Sequence, residues 1–322
     1  MGDIANLHSI TAIGLGTWTF GGPDWPWGWG PQDDNVSIAA IKRAVAVGVN
    51  WIDTAPEYGL GHSEEIVGRA VGQIAPSLRP LIFTKCGITW GTDRFAETAN
   101  DLRSATIEAE CEASLRRLNV EVIDLYQIHW PDTQTGTPLE ESWGTILELK
   151  QRGWIRGAGV CNFNVDQLET CWAMGGLTSV QPPLSLIKRE ALDDVIPWCK
   201  QHDVAVLVYS PLQSGLLTDA FSVDRARSLP GGDWRRKDPD FVPPGLTRNL
   251  ATRDILRPIA KRHGVSVAAI AIAWCVAQPG VTGAITGARS ESQVDLIVEA
   301  GSIQLDEGDL SEISESLLNL KA

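Results

Sequence analysis

The chain has 322 residues, 43% of them hydrophobic, and a formal charge of −13. That balance excludes a general nucleic-acid or anionic-membrane surface, which draws on clustered Lys and Arg, while leaving room for a local basic pocket. The longest apolar stretch, Val265 to Ala277, is interrupted by Ser266 and is shorter than the roughly 18 residues a membrane span needs.

Met1 to Asn6 has no basic or apolar leader region, so no signal peptide is expected, and Asn6 stands where a myristoylation motif wants Ser or Thr. Short β-rich runs then alternate with longer amphipathic ones. Strands are expected at 13–17, 49–53, 81–85, 122–128, 155–160, 178–181, 204–209 and 281–286. Helices are expected near 34–47, 63–74, 102–118, 138–151, 164–173, 190–201, 252–263 and 290–300, with further helical runs at 266–277 and 309–320. Helix 102–118 places Leu102, Ala105, Ala109, Ala113 and Leu118 on one face. Thr137-Pro138-Leu139-Glu140 reads as a Thr N-cap, Pro at the first helical position and a capping box.

About eight strand–helix units in series imply a parallel sheet covered by helices, and closure into a barrel is the simplest arrangement. The expected fold class is therefore α/β: a (β/α)8 TIM barrel over residues 1–322, with a long loop after the seventh strand and a C-terminal helix. A doubly wound sheet is the alternative, but no GxGxxG or phosphate loop occurs. The longest irregular stretch, Ser210 to Leu250, is long enough to be functional or mobile. The six cysteines (Cys86, Cys111, Cys161, Cys171, Cys199, Cys275) form no CxxC pair and read as buried small residues in a reducing cytoplasm. The five histidines (His8, His62, His129, His202, His263) form no HExxH, so no metal site is expected.

Active sites of such barrels lie at the C-terminal strand ends. Asp53 ends the second strand, with Tyr58 five residues on; Lys85 ends the third; His129 follows the fourth. Carbonyl reduction needs this equipment. Hydride arriving at carbon leaves negative charge on oxygen, which needs a hydrogen-bond donor and then a proton. Tyr58 can supply both, a neighbouring ammonium (Lys85) lowers a phenol's pKa, Asp53 keeps Lys85 charged, and His129 orients the oxygen.

These residues resemble the catalytic tetrad of the aldo-keto reductase superfamily in order and context. Gly14-Leu15-Gly16-Thr17-Trp18, Gly159-Val160-Cys161-Asn162-Phe163, Gln181-Pro182-Pro183, Tyr209 to Leu217, and Gly287-Ala288-Arg289 with Gln293 resemble further segments of that family. The pattern is closest to its bacterial and potassium-channel β-subunit-like branches. The resemblance implies NADPH/NADP+ as cofactor. Asn162 and Gln181 would hold the nicotinamide carboxamide, and Tyr209 would stack on its ring. Ser210, Leu212, Ser214, Gly215 and Leu217 would wrap the pyrophosphate, Arg289 would face the 2′-phosphate, and Gln293 would lie near adenine. Gly16, Thr17, Trp18, Asp53 and Gly287 complete the cofactor set. Trp18, Tyr58, Trp90, His129 and Trp130 form the expected substrate set, with Trp25, Trp27 or Trp29 also in the pocket. Cys161 departs from the usual Ser, and Ile297 from a common Asn.

The expected partner is a small carbonyl or alcohol substrate, with no nucleic acid or membrane, and a cytoplasmic location. Other readings stay open. Asp53 and Lys85 also fit a purely structural ion pair. Ser290 and Gln293 also fit a helix capping box. A regulatory or redox-sensing NADPH-binding protein with little turnover is the alternative function. A Schiff-base lyase using Lys85 is disfavoured because Asp53 keeps the amine charged.

Overall fold

The computed structural model describes residues 10–320, so the readings made on Met1 to Asn6 and on His8 lie outside the described residues. The strands are β1 (Ile13–Gly16), β2 (Trp51–Asp53), β3 (Leu81–Cys86), β4 (Ile88–Thr89), β5 (Ala99–Asn100), β6 (Ile123–Ile128), β7 (Ile155–Cys161), β8 (Leu177–Gln181), β9 (Ala205–Tyr209) and β10 (Gly283–Gly287). The helices are α1 (Asp34–Ala46), α2 (His62–Val71), α3 (Ser104–Leu118), α4 (Leu139–Gln151), α5 (Val165–Met174), α6 (Val195–Gln201), α7 (Val223–Arg227), α8 (Gly245–Asp254), α9 (Arg257–His263), α10 (Val267–Val276), α11 (Glu291–Glu299) and α12 (Glu307–Asn319). Eight strands close in the order β1-β10-β9-β8-β7-β6-β3-β2, every neighbouring pair parallel. This is the expected (β/α)8 barrel. The antiparallel pair β4-β5, which the periodicity did not reveal, stands outside it.

Strand alternation creates two cores. Trp51, Leu81, Phe83, Leu125, Ala205, Leu207 and Ile285 meet in one cluster, while their neighbours Ile52, Ile82, Tyr126, Val206 and Val208 pack in the larger cluster with the helices. Trp51 is the bulkiest group of the smaller cluster and needs a bare neighbour. A Cβ built on Gly14 would fall 2.3 Å from the indole. All six cysteines are buried and free, as expected. Among the described residues no single helix is long and apolar enough to cross a membrane. The apolar α10 is instead buried on nearly every side.

Several local expectations are corrected. Pro138, not Thr137, is the N-cap of α4, and no side-chain cap forms. Asp132 explains this: its carboxylate accepts from the backbone N–H groups of Gln134, Thr135 and Thr137, drawing Thr137 into the preceding turn. The buried face of α3 is Ile107, Cys111, Ser114 and Leu118, with Ala105 and Ala109 exposed. Small alanines carry little burial energy and so define a face poorly. The helix expected at 190–201 starts only at Val195, whose N–H is capped by Asp194. The helix expected at 252–263 is two helices, and Pro258 in the first turn of α9 marks the restart. The supposedly irregular stretch from Ser210 holds α7, short 3-10 turns and the start of α8.

Glu110 of α3 is half-buried, with its carboxylate tucked beneath the end of β3. One carboxylate oxygen accepts from Gly87 N at 2.7 Å and the other has no partner. Burial pushes this carboxyl up to about 8 from 4.5. The raised value means the native state holds a proton the unfolded chain releases, so this stability is present below 4.5 and is lost as pH rises through about 8. Glu110→Gln is therefore expected to stabilise the fold by about 1–3 kcal/mol above pH ~8 and to change little near pH ~5. Thermal melts at both pH values check this; an equal shift at both contradicts it.

Candidate active site

Asp53, Lys85 and His129 are each an even number of residues beyond inward-facing positions: Trp51, Phe83 and Leu125. The period-2 alternation that builds the barrel interior therefore also delivers all three side chains to its C-terminal mouth. Cys161, Gln181 and Tyr209 end β7, β8 and β9 in the same way.

At the centre is a buried ion pair. Lys85 Nζ donates to Asp53 Oδ1 at 2.6 Å and to the Thr54 carbonyl at 2.9 Å, and both side chains are shielded from solvent. The other Asp53 oxygen accepts from Gln181 Nε2 at 2.9 Å. Burial alone would lower the Lys85 pKa, but the Asp53 carboxylate overrides it and holds the ammonium above its ordinary range. Lys85 Nζ lies 5.3 Å from the centre of the Tyr58 ring, and the Tyr58 and His129 rings are 6.0 Å apart, edge to face. The four expected side chains thus meet in one place.

The electrostatics differ from the expectation in one respect. Burial raises the Tyr58 pKa, and although Lys85 opposes this, the net shift is upward. Tyr58 is consequently a neutral, proton-bearing phenol across the ordinary pH range. Burial, assisted by Lys85, pushes His129 well below its usual value, so its imidazole is neutral.

Tyr58 is held by a close backbone approach. Gly59 has φ +66°, and a Cβ there would sit 2.2 Å from the Gly21 carbonyl oxygen. This seats the loop after β1 against the tyrosine. Trp18 stacks on Tyr58 at 6.4 Å and Trp25 lies at 6.3 Å. Trp90 is half-buried and Trp130 is exposed, and among the described residues neither makes a ring contact with Tyr58 or His129.

The expected cofactor residues line the same end of the barrel. Asn162, with φ +63°, donates from Nδ2 to the His129 carbonyl at 3.0 Å and accepts from the Tyr209 hydroxyl at 2.8 Å. Ser210, Gln213 and Ser214 also adopt positive φ, in the turn that includes Leu212 and Gly215. The Leu217 side chain is buried in the core, as is that of Ile297 on α11. Gly16 and Gly287 are register partners across β1 and β10. Thr17 is fully buried; its hydroxyl donates to the Asp53 carbonyl and accepts from Ser63. It therefore braces the site from beneath. Gln293 accepts from Arg289 N at 2.8 Å, which favours its helix-start reading.

Arg289 is already engaged. Its guanidinium donates to Gln32 Oε1 at 2.8 Å, to the Trp29 carbonyl at 3.2 Å and to the Pro31 carbonyl. Two of its five N–H groups remain. Burial and the nearby charge of Arg235 lower its pKa.

Sequence reasoning missed Trp234 and Arg235, which lie in the long loop after β9. Trp234 stacks on Trp18 at 5.7 Å, and the Arg235 guanidinium lies 4.6 Å over Trp29. The length of that loop was the only available signal. It missed Glu57 as well, whose carboxylate lies 3.5 Å from His129 Nδ1.

Among the described residues, buried donors without protein partners, the Nε1 atoms of Trp18, Trp29 and Trp234, cluster with two neighbouring guanidiniums at this end of the barrel. This set suits a polar, anionic ligand such as a dinucleotide.

The sequence profile described as the aldo/keto reductase family matches residues 12–317. The chain belongs to the aldo/keto reductase family. As a member it is an oxidoreductase that uses a nicotinamide cofactor. It is 38% identical over 308 residues to the aldo-keto reductase YhdN of Bacillus subtilis, covering 95% of this chain and 90% of that protein. It is 32% identical to the NADH-specific methylglyoxal reductase of Escherichia coli, covering 96% of each. The structure of the glycerol dehydrogenase AKR11B4 from Gluconobacter oxydans superimposes with a TM-score of 0.89 at 37% identity, covering 99% of this chain and 95% of that one.

Proposed function

We propose that the protein reduces small aldehyde or ketone carbonyls with NADPH and oxidises the corresponding alcohols in reverse. One observation carries the reading: Asp53, Lys85, Tyr58 and His129 meet at one barrel mouth, with a neutral phenol beside a fixed ammonium. When bound, the reduced cofactor supplies hydride to the carbonyl carbon. Tyr58 gives its proton to the oxygen, His129 holds that oxygen by a hydrogen bond, and the Lys85 charge stabilises the phenolate left behind. Asp53 keeps Lys85 charged. Trp18 and Trp25 narrow the approach and exclude water. Asn162 and Gln181 would hold the carboxamide, Tyr209 would stack on the nicotinamide, and the 210–217 turn would hold the pyrophosphate.

Two relatives are named for methylglyoxal and glycerol, both three-carbon compounds. A small hydroxylated or dicarbonyl substrate is the corresponding reading here. The test is a panel of such carbonyls scored by loss of NADPH absorbance, with NADH in parallel; no turnover of any member contradicts it.

Arg289 supports NADPH over NADH, although one relative is NADH-specific. Arg289→Ala is expected to weaken NADPH binding about 10–150-fold, the value of a charge-assisted contact, and to leave NADH little changed. Titration of tryptophan fluorescence with each cofactor measures this. Equal losses mean that Arg289 serves only to clasp the Trp29–Gln32 segment.

A further inference from the structure

The proposed mechanism gives no task to Glu57, a carboxylate at the mouth. It sits in the Asp53–Gly59 segment, immediately before Tyr58. Its Oε2 lies 3.5 Å from His129 Nδ1, within ion-pair range and beyond ordinary hydrogen-bond length. That nitrogen is buried and has no hydrogen-bond partner, and both side chains are nearly closed to solvent. The other Glu57 oxygen accepts from Thr98 Oγ1 at 3.3 Å.

A neutral imidazole carries one N–H, and the hydrogen bond made by one nitrogen decides which nitrogen carries it. We infer that Glu57 is a positioning residue that sets the tautomer of His129, so that the proton shared by this pair decides whether Nε2 presents the hydrogen that holds the substrate oxygen. The inference rests on the carbonyl-reductase reading.

Proton counting makes the switch explicit. With one shared proton, a protonated Glu57 donates to Nδ1 and the ring keeps its hydrogen on Nε2. Once that proton leaves, the carboxylate accepts from Nδ1–H, and Nε2 carries a bare lone pair. The first state holds a carbonyl for reduction: hydride reaches its carbon, the Tyr58 proton reaches its oxygen, and the cofactor is oxidised. The second state has no hydrogen to offer the substrate oxygen, and alcohol oxidation, as the reverse of the same step, also needs the first state.

Burial pushes the Glu57 carboxyl up to about 6, against the Thr98 hydrogen bond and the Lys85 charge. Lys85, from β3, stays charged through its Asp53 partner, and Tyr58, from the same loop, stays neutral. Among the groups facing the pair, therefore, Glu57 itself is the one that titrates near neutrality.

The experiment compares the wild-type protein with Glu57→Gln and Glu57→Ala. A Gln amide donates to Nδ1 at every pH and so locks Nε2–H. In the wild type, kcat/KM for carbonyl reduction is expected to fall about tenfold between pH ~5.5 and ~8. In Glu57→Gln the Nε2–H is kept and this fall is abolished. In Glu57→Ala the profile also loses the transition, with lower kcat and little change in KM. Long-range nitrogen NMR of His129, assigned by its loss in His129→Gln, reads the tautomer without turnover. A wild-type change from Nε2–H to Nδ1–H that Glu57→Gln abolishes supports the inference. The same transition in wild type and Glu57→Gln overturns it, as does a tautomer that never changes. If the NMR transition is present but no carbonyl is reduced at any pH, the Glu57–His129 coupling stands and the reductase reading fails.

Discussion

Tyr58→Phe is expected to slow carbonyl reduction by about 10²–10⁴-fold, the usual cost of losing a general acid. The substitution removes one oxygen and keeps the ring that packs on Trp18 and Trp25. Among the described residues nothing in the protein hydrogen-bonds to that hydroxyl, so little stability is at stake. Cofactor affinity and melting temperature should stay near wild-type values. Stopped-flow turnover with a reactive aldehyde, together with a cofactor titration, separates the effects. Wild-type kcat in the Phe variant removes Tyr58 from the mechanism, while a fall in kcat matched by a fall in melting temperature assigns it a structural role.

Asp53→Ala is expected to cost about 3–5 kcal/mol of stability, the usual penalty for leaving one half of a buried pair unpaired. The residue loses two contacts at once: one oxygen serves Lys85, whose pKa it holds up, and the other serves Gln181. Without it, burial of Lys85 is unopposed and the amine sheds its proton more readily. The wild-type contribution is fully present below the ordinary Lys value of 10.5 and is lost as pH rises through the higher folded value. The deficit of the variant should therefore shrink in strongly alkaline solution. Thermal melts across pH check both parts. A melting temperature that does not change near neutral pH contradicts the description of the pair as buried and mutually dependent.

The sequence carried the barrel because its signal is periodic. Asp53, Lys85 and His129 could be placed at one mouth because strand alternation is rigid: a side chain two residues past an inward Trp51 or Phe83 must also point inward. Tyr58 was legible through its spacing from Asp53. Irregular backbone carries no such rule. Trp234 reaches Trp18 from a loop whose path is set by tertiary contacts, including Arg235 on Trp29. Nothing in the sequence singles out Glu57, and only the closure of Gly59 on Gly21 and the approach of His129 show that it is enclosed. The Thr137 capping box failed for a related reason: Asp132 took the Thr137 N–H that Glu140 would have accepted, and nothing in the local pattern ranks the two. Arg289 was placed at the cofactor end, but its hold on the Trp29–Gln32 segment depends on a contact across more than two hundred residues.

The central claim is that this mouth transfers hydride between a nicotinamide and a carbonyl. The most direct test supplies cofactor deuterated at its reduced ring carbon, together with a small aldehyde, and reads the product alcohol by mass spectrometry and NMR. The account predicts one deuterium on the former carbonyl carbon, one solvent-derived proton on its oxygen, and loss of this transfer in Tyr58→Phe. Cofactor that stays reduced with every carbonyl in the panel, or product that carries no deuterium, would contradict it.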